Sequence, residues 1–143
     1  MTKPIPDGYH TITPYLCIQS AAKLIDFLKQ VFDATVIERM ENADGTVKHA
    51  ELRIGDSMMM IAETSEKSKP MPGAFYLYLT DADAIYKRAL EAGATSLMEP
   101  QDTFYGNRES GVKDQFGNSW WIATHKENVS AEDMQKRFEA AKK

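Results

Sequence analysis

The pattern of apolar residues predicts an α+β fold. Paired βαβββ modules would form a curled eight-stranded mixed sheet around a cavity, with helices on the outer face and an extra C-terminal helix. Three observations predict it. The order strand, helix, strand, strand, strand occurs twice along the chain. Letters recur with the pattern: Ala22, Ile25, Ala34 and Thr35 return at a fixed offset as Ala82, Ile85, Ala94 and Thr95, and Gly55-Asp56-Ser57 is echoed by Gly117-Asn118-Ser119. Each half is also too small to bury one curved sheet face alone, which two halves together can do. Residues 1–143 are therefore read as a single domain, with module 1 at about 11–63, module 2 at about 74–125 and the last helix at about 130–141.

Each element has its own signal. Residues 1–10, rich in Pro and Gly, read as an arm. Thr11–Ile18 is β-prone, with Ile12, Leu16 and Ile18 on one face and Thr13, Tyr15 and Cys17 on the other. Ser20 is placed as N-cap of a helix over Ala21–Phe32, whose Leu24, Ile25, Leu28, Val31 and Phe32 follow helical spacing. Thr35–Met40 is a strand, and the turn Asn42-Ala43-Asp44-Gly45 leads to Val47–Ile54, where Ala50, Leu52 and Ile54 alternate with His49, Glu51 and Arg53. Gly55-Asp56 turns the chain into Ser57–Ala62. After the polar stretch Thr64–Gly73 come a strand (Ala74–Thr80), a helix (Ala82–Ala92, closed by Gly93), and strands at Thr95–Glu99, Arg108–Asp114 and Asn118–Thr124. Gln101–Asn107 is a longer loop. Ser130-Ala131-Glu132-Asp133 resembles a capping box, opening a helix that carries Met134 and Phe138.

Bulk properties narrow the function classes. A net charge of −4 gives no bulk attraction for nucleic acid or an anionic membrane. No apolar run has the length of a membrane span, and the first residues lack the apolar core of a signal peptide. Cys17 is the only cysteine, so no internal disulfide can form and a cytoplasmic location is expected. The sequon Asn128-Val129-Ser130 is read as chance. There is no phosphate-cradling glycine loop and no dinucleotide fingerprint.

Four phrases carry a resemblance: Tyr9-His10-Thr11-Ile12-Thr13-Pro14-Tyr15-Leu16, His49-Ala50-Glu51-Leu52-Arg53-Ile54-Gly55-Asp56-Ser57, Tyr105-Gly106-Asn107-Arg108 and Asp114-Gln115-Phe116-Gly117-Asn118-Ser119-Trp120. Together, over roughly residues 8–128, they resemble the glyoxalase/bleomycin resistance family of the vicinal oxygen chelate superfamily, in its PhnB-like branch. In metal-using members the resemblance implies ligands near the start of the first strand and on the last strand of each module. Carried over, these positions are Thr13, Met60 (or Met59, if the register slips by one), Phe75 and Trp121. Hydroxyl, thioether and aromatic rings do not replace His and carboxylate donors. No metal and no other cofactor is therefore expected.

Strand parity groups Thr13, Tyr15 and Cys17, then Phe75, Leu77 and Leu79, then Met58 and Met60, then Trp121, as lining of a concave face. Such a lining either fills the interior as core or receives a small apolar or aromatic ligand. Tyr105 and Arg108 belong to the expected ligand set: Gly106 frees the loop backbone, and Arg108 can grip an anion or pair with an internal carboxylate such as Asp114. The expected function is small-molecule binding. The alternative is a metal-independent lyase or isomerase using His49 and Glu51 with Arg108, and behind it a metal-dependent glyoxalase-like enzyme. His49, Glu51 and Arg53 also fit an exposed polar strand face. Glu63, His10 and His125 read as surface or interface residues, and Cys17 as a small buried hydrophobe whose parity leaves thiol chemistry open. The expected partner is a small molecule, with a second copy of the chain as a homodimer.

Overall fold

The computed structural model describes residues 2–142. Its elements run β1 (Tyr15–Ile18), α1 (Ala21–Phe32), β2 (Thr35–Glu41), β3 (Val47–Ile54), β4 (Ser57–Glu63), β5 (Ala74–Tyr78), α2 (Ala82–Glu91), β6 (Thr95–Asp102), β7 (Asn107–Lys113), β8 (Ser119–His125) and α3 (Ala131–Ala141). The fold is α+β, and the βαβββ order occurs twice as expected. Hydrogen bonding groups the strands into two mixed four-stranded sheets, ordered β1-β4-β3-β2 and β5-β8-β7-β6. The chain divides into two compact units, Met1–Gly73 and Ala74–Lys143.

In the first unit, β1 runs parallel to β4 with Leu16 opposite Ile61, and β3 runs antiparallel with Leu52 opposite Met59. Leu16, Ala50, Leu52, Met59 and Ile61 thus share one sheet face, all buried, and the apolar stripe Leu24, Ile25, Leu28 and Val31 of α1 is buried as well. Glu63, at the end of β4 on this face, accepts from the backbone N–H groups of Ser20 (2.9 Å) and Ala21 (3.1 Å). Ser20 is therefore not the side-chain cap expected: it sits in the left-handed region (φ 67°) and makes no capping hydrogen bond. A carboxylate distant in sequence supplies that function. The first strand also starts later than expected, at Tyr15, and Ile12 is 85% exposed rather than core. Cys17 faces away from α1 but is covered by the connection, since Met71 N–H donates to the Cys17 carbonyl. Burial, and then Glu63, push the thiol pKa up, which disfavours a reactive thiolate.

The second unit repeats the device. Thr124, near the end of β8, accepts from the first N–H of α2 (Ala82, 3.0 Å) and donates to the Leu79 carbonyl (2.6 Å), while Asp81 caps Ala84. The Thr124 face packs α2: Trp120, Ile122, Val112 and Ser110 are buried there, and Tyr86 of α2 donates to Ser96 of β6 (2.7 Å).

The β7–β8 turn depends on Asp114. Its Oδ1 accepts from the N–H groups of Phe116 (2.8 Å) and Asn118 (2.9 Å), and its Oδ2 accepts from Asn118 Nδ2 (2.8 Å) and Trp120 Nε1 (2.8 Å). Asp114 is thus a turn residue and does not partner Arg108. Removing it leaves buried donors without acceptors. Asp114→Ala should destabilise the protein by about 3 kcal/mol or more in urea unfolding. A loss below about 1 kcal/mol would mean that the turn holds without it.

Candidate functional site

Each sheet has a second face, opposite its helix. In the first unit, Tyr15 lies opposite Met60, and Met60 opposite Glu51, so these three share the face away from α1. His49 is on the same face, its ring 6.2 Å from that of Tyr15 and its Nε2 3.8 Å from Glu51 Oε2. The expected catalytic pair His49 and Glu51 therefore shares a face with the expected ligand residues Tyr15 and Met60, rather than a separate polar one. Thr13 precedes β1 and is half-buried.

In the second unit the register corrects one expectation. Phe75 lies opposite Trp120, and it is Tyr76 that lies opposite Trp121. Phe75 stacks on Trp120 with ring centroids 4.7 Å apart, on the α2 face. It is therefore not beside Trp121. Arg108 is also on the α2 face, where its Nε and Nη2 donate to the two carboxylate oxygens of Asp83 (3.1 and 3.2 Å), with Asp102 at 3.6 Å. It borders an open polar cleft of about 350 Å³ that includes Asp81, Thr124 and Lys126. Any anion there would compete with carboxylates already in place.

The face away from α2 carries a polar network that sequence reasoning did not single out. Tyr76 and Tyr105 (2.6 Å) both donate to Oε1 of Glu109, which is only 7% exposed. Asn107 Nδ2 donates to the Tyr76 hydroxyl (2.8 Å), and Asn107 Oδ1 meets His125 Nδ1 (2.9 Å). Around it lie Trp121 and the exposed rings of Tyr76 and Tyr78. The indole of Trp121 lies across Gly111: a Cβ there would come within 2.4 Å of its Cζ3. Ala123 lies opposite Glu109, so no large side chain faces the carboxylate from β8.

Tyr105 is held in place by its loop. Gly106, at φ 94°, brings its backbone so near Glu127 that a Cβ would sit 2.3 Å from that residue's carbonyl. Arg137 of α3 donates to the Phe104 carbonyl (3.3 Å) and Glu127 (2.6 Å), and Phe138 packs on Phe104 at 5.5 Å.

Thr13, Met60 and Trp121, with either Phe75 or Tyr76, offer neither imidazole nor carboxylate, and Met59 is on the α1 face. Among the described residues no three His, Cys, Asp or Glu side chains are grouped to hold a metal ion. No helix of the described residues is long and apolar enough to cross a membrane.

The family described as Glyoxalase/Bleomycin resistance protein/Dioxygenase superfamily matches residues 9–122. The chain is 32% identical over 135 residues to the uncharacterized protein Mb0911c of Mycobacterium bovis, covering 87% of this chain and 89% of that one. Its structure is similar to that of TioX from Micromonospora sp. ML1 (TM-score 0.70, 25% identity, 81% of this chain and 98% of that one). It is also similar to a PhnB protein from Bacillus cereus (TM-score 0.66, 17% identity, 80% and 99%).

Burial, and then the bonds to Glu109, push the Tyr105 pKa up to about 12 and that of Tyr76 up as well. Their folded values lie above the unfolded value of about 10. The resulting stabilisation is full below pH 10 and is lost as the pH rises towards 12. In an alkaline titration followed by phenolate absorbance, two of the six tyrosines should ionise late, and Glu109→Gln should bring both earlier. Ionisation of all six in one step near pH 10 would contradict the network.

Proposed function

As the chain belongs to the Glyoxalase/Bleomycin resistance protein/Dioxygenase superfamily, we propose that it binds a small apolar or aromatic molecule without a metal ion. The binding surface is the face of the second sheet that carries Trp121. The observation that supports this reading most is the seating of Trp121. Gly111 leaves the space that its indole occupies against the sheet, and the rings of Tyr76 and Tyr78 rise from the same face. Flat, partly exposed rings on a rigid sheet give stacking area at little conformational cost. The aromatic and thioether groups at the implied metal positions support ligand contact rather than Lewis-acid chemistry, since none is a suitable donor.

The test is calorimetric titration with neutral planar aromatics such as acridine. Saturable binding is expected, unchanged by EDTA and weakened about tenfold by Trp121→Ala. No saturable binding, or binding abolished by the chelator, would refute the reading.

A further inference from the structure

The hydrogen bonds around Glu109 have a direction. Asn107 Nδ2 donates to the Tyr76 oxygen, so the Tyr76 proton is left to point at Glu109. Asn107 then presents Oδ1 to His125 Nδ1, which must donate. The sequence His125 to Asn107 to Tyr76 to Glu109 therefore passes every proton towards the carboxylate, and Tyr105 adds another from the loop. Both tyrosine hydroxyls stay protonated through the neutral range, because their pKa values are raised. Glu109 is the common end of this network and accepts only.

Both tyrosines use the same oxygen, Oε1. Oε2 has no hydrogen-bond partner among the described residues, and it is not among the side-chain atoms sealed from solvent without one. It is therefore open to solvent, on the face where the small Ala123 lies opposite Glu109. Trp121 lies two residues along that face, over Gly111, and Tyr76 borders it from β5. An open oxygen of an otherwise buried carboxylate, with a free lone pair and ring faces beside it, is matched by positive charge carried on a flat group.

We propose that Glu109 Oε2 is a cation-selective anchor, and that the natural ligand is a planar aromatic bearing a protonated nitrogen, such as an amino- or amidino-substituted heteroaromatic cation. The nitrogen donates to Oε2 while the ring stacks on Trp121 and Tyr76. His125, Asn107 and Tyr105 are positioning residues that fix the carboxylate. The proposal rests on the aromatic-binding role above and adds charge selection to it.

The experiment compares 9-aminoacridine, a cation at neutral pH, with acridine, its neutral counterpart, by calorimetry on the full chain and on Glu109→Gln. The wild-type protein should bind the cation at least about tenfold more tightly. Glu109→Gln should abolish that preference, bringing the two probes to within about twofold of each other. Equal binding of both probes by the wild-type protein would overturn the anchor and leave aromatic binding standing. Binding of neither would overturn both readings together. The wild-type comparison stands even if Glu109→Gln fails to fold.

Discussion

The register of the β7–β8 hairpin is the constraint on which the second unit depends, and Asp114 sets it. Its carboxylate gathers two turn N–H groups, one side-chain amide and the indole N–H of Trp120. Two adjacent tryptophans on a strand must face opposite sides of the sheet. A slip of one residue would exchange them. By binding Trp120, Asp114 assigns that ring to the buried α2 face and Trp121 to the other.

The remaining geometry follows from this assignment. With Trp121 on the far face, β7 must yield space beside it, and Gly111 is there. The next inward positions along β7, Glu109 and Asn107, then fall on the same face, beside Tyr76 of β5. The α2 face in turn receives Arg108, which Asp83 neutralises. In both units a side chain at the end of the last strand, Glu63 or Thr124, catches the first N–H groups of the helix. The helix is thus tied to the face its apolar stripe already favours. α3 adds a further hold by pinning Phe104, and with it the loop that delivers Tyr105.

The order of elements and most boundaries were legible because periodicity is a local signal: Val47–Ile54 is found as read. Long-range partners were less legible. Nothing near Ser20 shows that Glu63 replaces its hydroxyl, since the two meet only through the parallel pairing of β1 and β4. Phe75 was misplaced because the parity of β5 relative to β8 cannot be read from either strand alone, and one residue changes the face. Glu109 was passed over inside the strand Arg108–Asp114, of which only Arg108 and Asp114 were singled out. Its signal was present, since Asn107, Glu109 and Gly111 stand at alternate positions and so share one face of the strand, but it needs the pairing with Trp121 to acquire meaning. The aromatic character of the site was legible in part, through Tyr105 and Trp121.

The most direct measurement of the division between the two tryptophans is the pair of indole N–H resonances in a 15N-labelled sample, followed with and without acridine. The Trp120 resonance should be protected from solvent exchange by Asp114 and stay in place, while that of Trp121 should exchange readily and move on binding. A Trp120 signal that exchanges freely or shifts with the ligand, beside an unmoved Trp121, would contradict the register and the binding face that depends on it.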